Sequence, residues 1–298
     1  TMDSKKHTDR LIDTVKRLSD AHSYRELCHH YREGDPLPSG ERVAKFVELC
    51  RAILFPGFYG KSTINHRTIS YQIGINTERV YELLSQQVLA GLCFVCNAPQ
   101  DERVDLHRKK ATEIAIQFIE QLPEIRRILA TDVQAAYLGD PAAVSTGEVI
   151  FCYPAIRAIS NYRIANALYK LEVPLIPRMI TEMAHSETGI DIHPSAVIGE
   201  HFAIDHGTGV VIGATSIIGN NVKIYQGVTL GAKSFTLDEN GNPVKGIARH
   251  PILEDDVIIY SNATILGRIT IGKGAVVGGN IWVTEDVAPG ERITQKRG

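Results

Sequence analysis

Three short stretches of the chain carry side chains that a structural repeat does not need. They are GIDIHP at 189–194, IDHGTG at 204–209 and ARHP at 248–251. His206 adjoins Asp205 and follows Asp191 by fifteen residues. An imidazole is a base near neutral pH, and a carboxylate on its Nδ1–H fixes the tautomer that leaves Nε2 free to take a proton. Asp191 is suited to that role if the two residues lie on neighbouring turns of one element. Arg249 and His250 pair a guanidinium fork with an imidazole, which would clamp a small carboxylate and offer a further hydrogen bond. Each residue also has a plain structural reading: His206 as a core histidine with satisfied nitrogens, Asp191 as a turn residue after Gly189, Arg249 and His250 as a solvated turn. Asp140-Pro141 reads first as a helix start, with Asp as N-cap and Pro at the first helical position. His193 reads as a corner residue.

The elements that must position these groups show two periodicities. From about residue 5 to 185 the apolar spacing is helical. Val80, Leu83, Leu84, Val88 and Leu92 form one stripe, with Asn76 and Thr77 as available caps; Ile114, Phe118, Ile119 and Leu122 form a second; Ile156, Ile159, Ile164, Leu168 and Leu171 form a third. Breakers at 34–40, 55–62 and 138–141 divide them. After Gly189 the step becomes six. Ile192, Ile198, Ile204, Val210, Val222 and Val228 follow it with Ser216 as the exception, Ile212, Ile218, Ile224 and Leu230 form a parallel series, and Ile259, Ile265, Ile271, Val277 and Val283 resume it. Hexad repetition predicts a parallel β-helix whose coils stack about 4.8 Å apart over one aliphatic core. Glycines 199, 213, 219, 267, 272 and 278 suit its corners. The expected division is an all-α N-terminal domain over 1–188, then a left-handed β-helix over 189–298. In this register His206 takes a slot filled by Ile212 and Ile218 further on. The polar stretch 233–249, with Asn240-Gly241 as a turn, is a loop thrown from one corner.

Composition excludes several classes. The 298 residues are 44% hydrophobic with net charge −2, so no basic field attracts nucleic acid. No apolar run suits a bilayer, and the polar first residues lack a signal peptide's apolar core. Five cysteines do not make a disulfide framework, and Cys93-x-x-Cys96 reads as buried and structural. A cytoplasmic globular protein is expected.

DIHPSAVIG, IDHGTG, VTLGAKSF, RHP and SNATILGRITIGKGA, in that order, with GDPAA at 139–143 and YRIAN at 162–166 upstream, resemble serine O-acetyltransferases, members of the hexapeptide-repeat acyltransferases. The resemblance covers about residues 130 to 290. It implies acetyl transfer from acetyl-CoA to the hydroxyl of L-serine, the first step of cysteine synthesis, with L-cysteine as competitive feedback inhibitor and no metal. It assigns His206 as general base, Asp191 as its orienting carboxylate, Asp140 and Asp205 as ligands of the substrate ammonium, Arg249 as ligand of its carboxylate and His250 as the second histidine of the pocket. Gly231, Ala232 and Ser261 match positions along the CoA groove, and Lys273, which also reads as a solvated lysine, is placed to meet a CoA phosphate. The resemblance further implies a homotrimer with sites between subunits, and leaves open whether two trimers pair into a dimer of trimers. The loop at 233–249 is longer than in many relatives. The ending ITQKRG lacks the isoleucine-terminated tail by which many of them dock the sulfhydrylase, so no tail-mediated complex is expected. Two other readings share the coil: an acetyltransferase for a sugar or antibiotic hydroxyl, and a zinc enzyme similar to γ-carbonic anhydrase built on His201, His206 and His250. A non-catalytic scaffold is the third.

Overall fold

The structure is a computed structural model that describes residues 2–29, 34–60, 64–96, 103–234 and 236–295. The chain forms two compact units, Thr1–Asp35 and Pro36–Gly298. The first carries α1 (Met2–Leu18) and α2 (Ala21–Tyr24), with Asp20 capping α2. The second holds six helices, α3 (Gly40–Leu54), α4 (Ile69–Val95), α5 (Arg103–Gly139), α6 (Thr146–Cys152), α7 (Pro154–Lys170) and α8 (Ile176–Thr188), and then fourteen short strands, β1–β14 in chain order, among the described residues. The end of the ITQKRG segment, 296–298, lies outside the described residues, and so does the question of a docking tail.

The helical stripes are buried as their spacing requires. Val80, Leu84, Val88, Phe118, Ile164 and Leu168 are fully enclosed. Asn76 and Thr77 do not cap a helix. They lie inside α4, which begins at Ile69, where Asn76 accepts a hydrogen bond from Gln72 and Thr77 donates to the Ile73 carbonyl. Cys93 is buried near the end of α4 and Cys96 is its C-cap. α8 ends at Gly189, whose left-handed conformation (φ 70°) turns the chain directly into β1.

The strands build a left-handed parallel β-helix with three faces. The first face stacks β1 (Asp191–Ile192), β4 (Val211–Ile212), β7 (Thr229–Gly231), β10 (Thr264–Leu266) and β13 (Trp282–Val283). The second stacks β2 (Val197–Ile198), β5 (Ile217–Ile218), β8 (Ile252–Leu253) and β11 (Thr270–Ile271). The third stacks β3 (Ala203–Asp205), β6 (Lys223–Tyr225), β9 (Ile258–Ile259), β12 (Val276–Val277) and β14 (Arg292–Ile293). Strands β1 to β13 each contribute an inward aliphatic, and in several a second buried residue two positions earlier fills the preceding corner: Val210 before Ile212, Val222 before Ile224, Val257 before Ile259.

This register corrects the reading of the hexads as two parallel series. Ile192 pairs with Ile212, twenty residues on, whereas Ile212 pairs with Leu230, eighteen residues on. The first coil therefore carries two extra residues. They sit in the corner after β3, which spans His206, Gly207, Thr208 and Gly209. His206 is not in an aliphatic slot. It stands at φ 58° in the left-handed region with its side chain 77% exposed. Gly207 is required there, because at its φ of 103° a Cβ would come within 2.5 Å of Ile190 Cδ1.

The helical part is bolted to the first coil through α7. Arg163 and Asp132 form an ion pair at 3.0 Å with side chains 7% and 0% exposed. Arg163 also donates to the Ile198 and Gly199 carbonyls, and Asp132 accepts from the Phe202 N–H. Tyr162 donates to the Ala196 carbonyl and Asn166 to that of Pro194. These bonds fix the last two turns of α5 beside the corner that holds His206.

Candidate active site

α5 ends at Gly139, and the chain turns immediately. Asp140 and Pro141 do not begin a helix. The Ala143 N–H bonds the Asp140 carbonyl and the Ala142 N–H bonds Asp140 Oδ1 at 2.8 Å, so Asp140 opens a turn, and the next helix starts later, with Ser145 as its cap. The other carboxylate oxygen of Asp140 accepts from the Tyr153 hydroxyl at 2.5 Å. That bond is the main reason the Asp140 carboxyl titrates below its usual range, and it raises the Tyr153 phenol to about 12. Tyr153 is held in place as the residue before Pro154, the first residue of α7.

Asp140 and Tyr153 face the His206 corner across a cavity of about 220 Å³, lined also by Pro154, Ala155, Ile204 and Asp205. Asp205 Oδ1 lies 3.7 Å from His206 Nε2, and Asp205 Oδ2 lies 3.0 Å from Lys223 Nζ. Lys223 donates as well to the Gly139 carbonyl at 2.6 Å and sits 4.7 Å from the Tyr225 ring. Burial works against its charge, but hydrogen bonds to Tyr225 and Asp205 outweigh it and raise its pKa. Lys223 thus ties the end of α5 to the β-helix and leaves Asp205 paired. Asp191 lies at the same edge, at the foot of the first face: its N–H bonds the Val210 carbonyl. The expected hydrogen bond from His206 Nδ1 to Asp191 is not made. The two-residue expansion of the corner swings the ring outward, and the Asp191 carboxylate stands with Glu182 and His185 of α8, their ligand atoms within 4.8 Å of one another.

Arg249 and His250 lie at a different edge, between the first and second faces, where the long loop rejoins the coil. Thr215 organises them. Its hydroxyl accepts from the Arg249 and His250 N–H groups at 2.9 and 3.1 Å, and its own N–H and hydroxyl reach His250 Nδ1 at 3.1 and 2.8 Å. His250 Nδ1 is therefore an acceptor, which places the ring proton on Nε2. Burial first, then Arg249 and Arg268, lower the His250 pKa to about 4. The ring lies against Gly213, where a Cβ would fall 2.0 Å from Cδ2. His193, two coils below on the same edge, is held in a similar way, with Ser195 donating to its Nδ1 and a pKa lowered to about 4, chiefly by burial. The loop itself closes a small hairpin in which Leu237 bridges Pro243 around Asn240-Gly241, and its base encloses a cavity of about 300 Å³ lined by Lys233, Arg249 and Arg268 among others.

Within one chain the candidate residues therefore fall into two half-sites. Asp140, Asp205, His206 and Asp191 border the edge between the third and first faces; Arg249 and His250 border the edge between the first and second. The three histidines of the zinc reading, His201, His206 and His250, occupy three different edges of one chain, so that reading needs neighbouring copies to bring them together. Sequence reasoning missed Tyr153, Lys223 and Thr215, which act through bonds to residues at least 13 positions away in the chain.

A plasmid serine acetyltransferase of Synechococcus elongatus is 48% identical over 289 residues, which is 96% of this chain and 90% of its own. The chain belongs to the serine acetyltransferases. It is accordingly an acyltransferase. A crystal structure of serine acetyltransferase 1 from Entamoeba histolytica in complex with L-cysteine matches with a TM-score of 0.72 and 35% identity over 94% of each chain. A soybean serine acetyltransferase complexed with serine matches with a TM-score of 0.54 and 28% identity, over 85% of this chain and 94% of its own. No protein-family model matches.

The residues matched to the family's CoA groove divide in the same way as the catalytic ones. Gly231 and Ala232 lie at the edge of Arg249, and Ser261 lies at the edge of His206, two coils above it. Lys273 lies at neither, on the edge between the second and third faces, with Nζ 4.0 Å from Asp256. No helix among the described residues is long and apolar enough to cross a membrane.

Proposed function

We propose that this serine acetyltransferase works with His206 as general base in a site shared between copies of the chain. The L-serine ammonium lies between Asp140 and Asp205, and its carboxylate on Arg249 and His250 of the next copy. His206 Nε2 takes the hydroxyl proton as the oxygen attacks the thioester carbonyl of acetyl-CoA. The C–S bond then breaks, the imidazolium returns the proton to the CoA thiolate, and O-acetyl-L-serine and CoA leave. The observation that carries this reading is the cavity beside His206, in which an exposed imidazole meets two carboxylates that other groups already hold in place. Asp191, at the same edge, is the carboxylate that orients the ring once substrate and a neighbouring copy close over it. His250, neutral with its proton on Nε2, donates without adding charge. Acetyl-CoA runs along the groove between copies past Gly231, Ala232 and Ser261, with Lys273 outside it, and the chemistry calls for no metal.

A ring of copies, with the His206 edge of each facing the Arg249 edge of the next, completes both half-sites, and a homotrimer is the assembly that suits the three-faced coil. L-cysteine presents the same ammonium and carboxylate with a thiol in place of the hydroxyl, so it competes with L-serine; the cysteine-bound Entamoeba enzyme supports this. The test is thiol release from acetyl-CoA with and without L-serine, for wild type and His206→Ala. The serine-dependent rate should fall by roughly 10²–10⁴ while the fold survives, since the side chain is largely exposed. An unchanged rate, or acetylation of an amino sugar in preference to serine, would overturn the proposal.

A further inference from the structure

The helical part contains a second cavity, of about 430 Å³, between α3, the turn at Phe55–Gly60, α4 and the start of α7. Lys45, Arg51, Arg79 and Arg157 line it, and Glu48 is its one acidic residue. Glu48 is already engaged by Lys45 at 3.0 Å, and Arg157 by Glu187 at 3.1 Å. Arg79 has no carboxylate within ion-pair distance among the described residues. Arg51 is the anomaly. It is only 4% exposed, and it has no carboxylate either. Its Nε donates to Ser160 at 3.4 Å, its Nη2 to Asn161, and its guanidinium carbon lies 5.7 Å from the Tyr59 ring centroid. All of these are neutral groups. Arg163, also deeply buried, has Asp132 against it.

A buried charge is ordinarily paired, and desolvation makes an unpaired one costly. Burial and then the neighbouring Arg157 both pull Arg51 below its usual pKa. Lys45 is paired with Glu48 and Arg157 with Glu187, which leaves the charges of Arg51 and Arg79 for a bound anion to neutralise. Guanidinium forks fit tetrahedral oxyanions in bidentate fashion. We propose that this cavity binds a tetrahedral oxyanion of the phosphate or sulfate class, with Arg51 at its floor and Arg79 and Lys45 at its mouth. The site is separate from the serine and CoA sites: none of its lining residues belongs to either half-site.

The experiment uses the full chain without acetyl-CoA, titrated with inorganic phosphate, inorganic sulfate or glycerol phosphate against chloride at matched ionic strength. Binding is read by calorimetry and by the thermal unfolding midpoint. A saturable rise in the midpoint specific to the oxyanions is expected. Arg79→Gln and Lys45→Gln, both at exposed positions, should each weaken apparent affinity by about tenfold or more, the size of one charge-assisted hydrogen bond. Tighter binding of glycerol phosphate would identify the occupant as an organic phosphate, and tighter binding of the free ions as an inorganic one. Arg51→Gln should abolish the effect; if that variant does not fold, the two exposed variants decide. Oxyanions that do no more than chloride, or variants that bind them as wild type does, would refute the site.

Discussion

Replacing His250 by Asn isolates the acid sensitivity built into the substrate-carboxylate half-site. An unfolded imidazole takes up its proton near pH 6.5, whereas folded His250 does so only near pH 4, because it is buried and faces Arg249 and Arg268. The folded pKa is depressed, so the unfolded chain binds more protons between those values, and stability is full above about pH 6.5 and is lost as pH falls towards 4. For one group shifted by this amount, the loss between about pH 7.5 and about pH 5 comes to about 2 kcal/mol. His193 adds a smaller step, being partly exposed. Asn keeps an acceptor where Nδ1 accepts from Thr215 but carries no titrating nitrogen. The assay is equilibrium urea unfolding of wild type and His250→Asn at both pH values and one protein concentration. The quantity compared is the pH-dependent difference, not absolute stability, which the substitution itself alters. The variant should lose about 2 kcal/mol less than wild type over this interval. Equal losses would show that His250 does not stay neutral in the fold, and the argument that it donates to the substrate without adding charge would fail with it.

Asp132→Ala should destabilise the chain by about 3–5 kcal/mol, because it leaves Arg163 buried and uncompensated; denaturant unfolding checks this, and a loss below about 1 kcal/mol would contradict the role given to that pair. Gly213→Ala should cost about 1–3 kcal/mol and raise the KM for L-serine, since the new methyl occupies the position of the His250 ring; steady-state kinetics with a stability measurement test both, and a silent substitution would refute the close approach.

Much of the architecture was legible because a hexad has no competing explanation. The inward aliphatics at Ile218, Ile224, Ile265 and Val277 sit where a repeat of six puts them, and the helical stripes are buried as their spacing demands. The reading failed where the period breaks. Taken as uninterrupted, the hexads place His206 in the core, whereas two extra residues make its corner a projecting one. Counting from Ile204 to Ile212 shows a step of eight, a signal present in the sequence and open to the same arithmetic. Spacing alone makes Asp140 a cap, because Asp-Pro satisfies a local rule; the turn found instead depends on Tyr153 and on the Lys223 bond to Gly139, 84 residues away. The division into two half-sites was equally out of reach, because the edge a residue occupies depends on the accumulated coil register, including the loop that interrupts the third coil.

A mixing experiment tests the shared site most directly. His206→Ala and Arg249→Ala chains, each inactive alone, are unfolded together in equal amounts and refolded. In a ring assembled at random, about one interface in four joins an intact His206 edge to an intact Arg249 edge, so about a quarter of the wild-type serine-dependent activity should return. If the mixed chains assemble but stay as inactive as either variant alone, both half-sites must serve within one chain, and the account of a base completed by its neighbour is wrong.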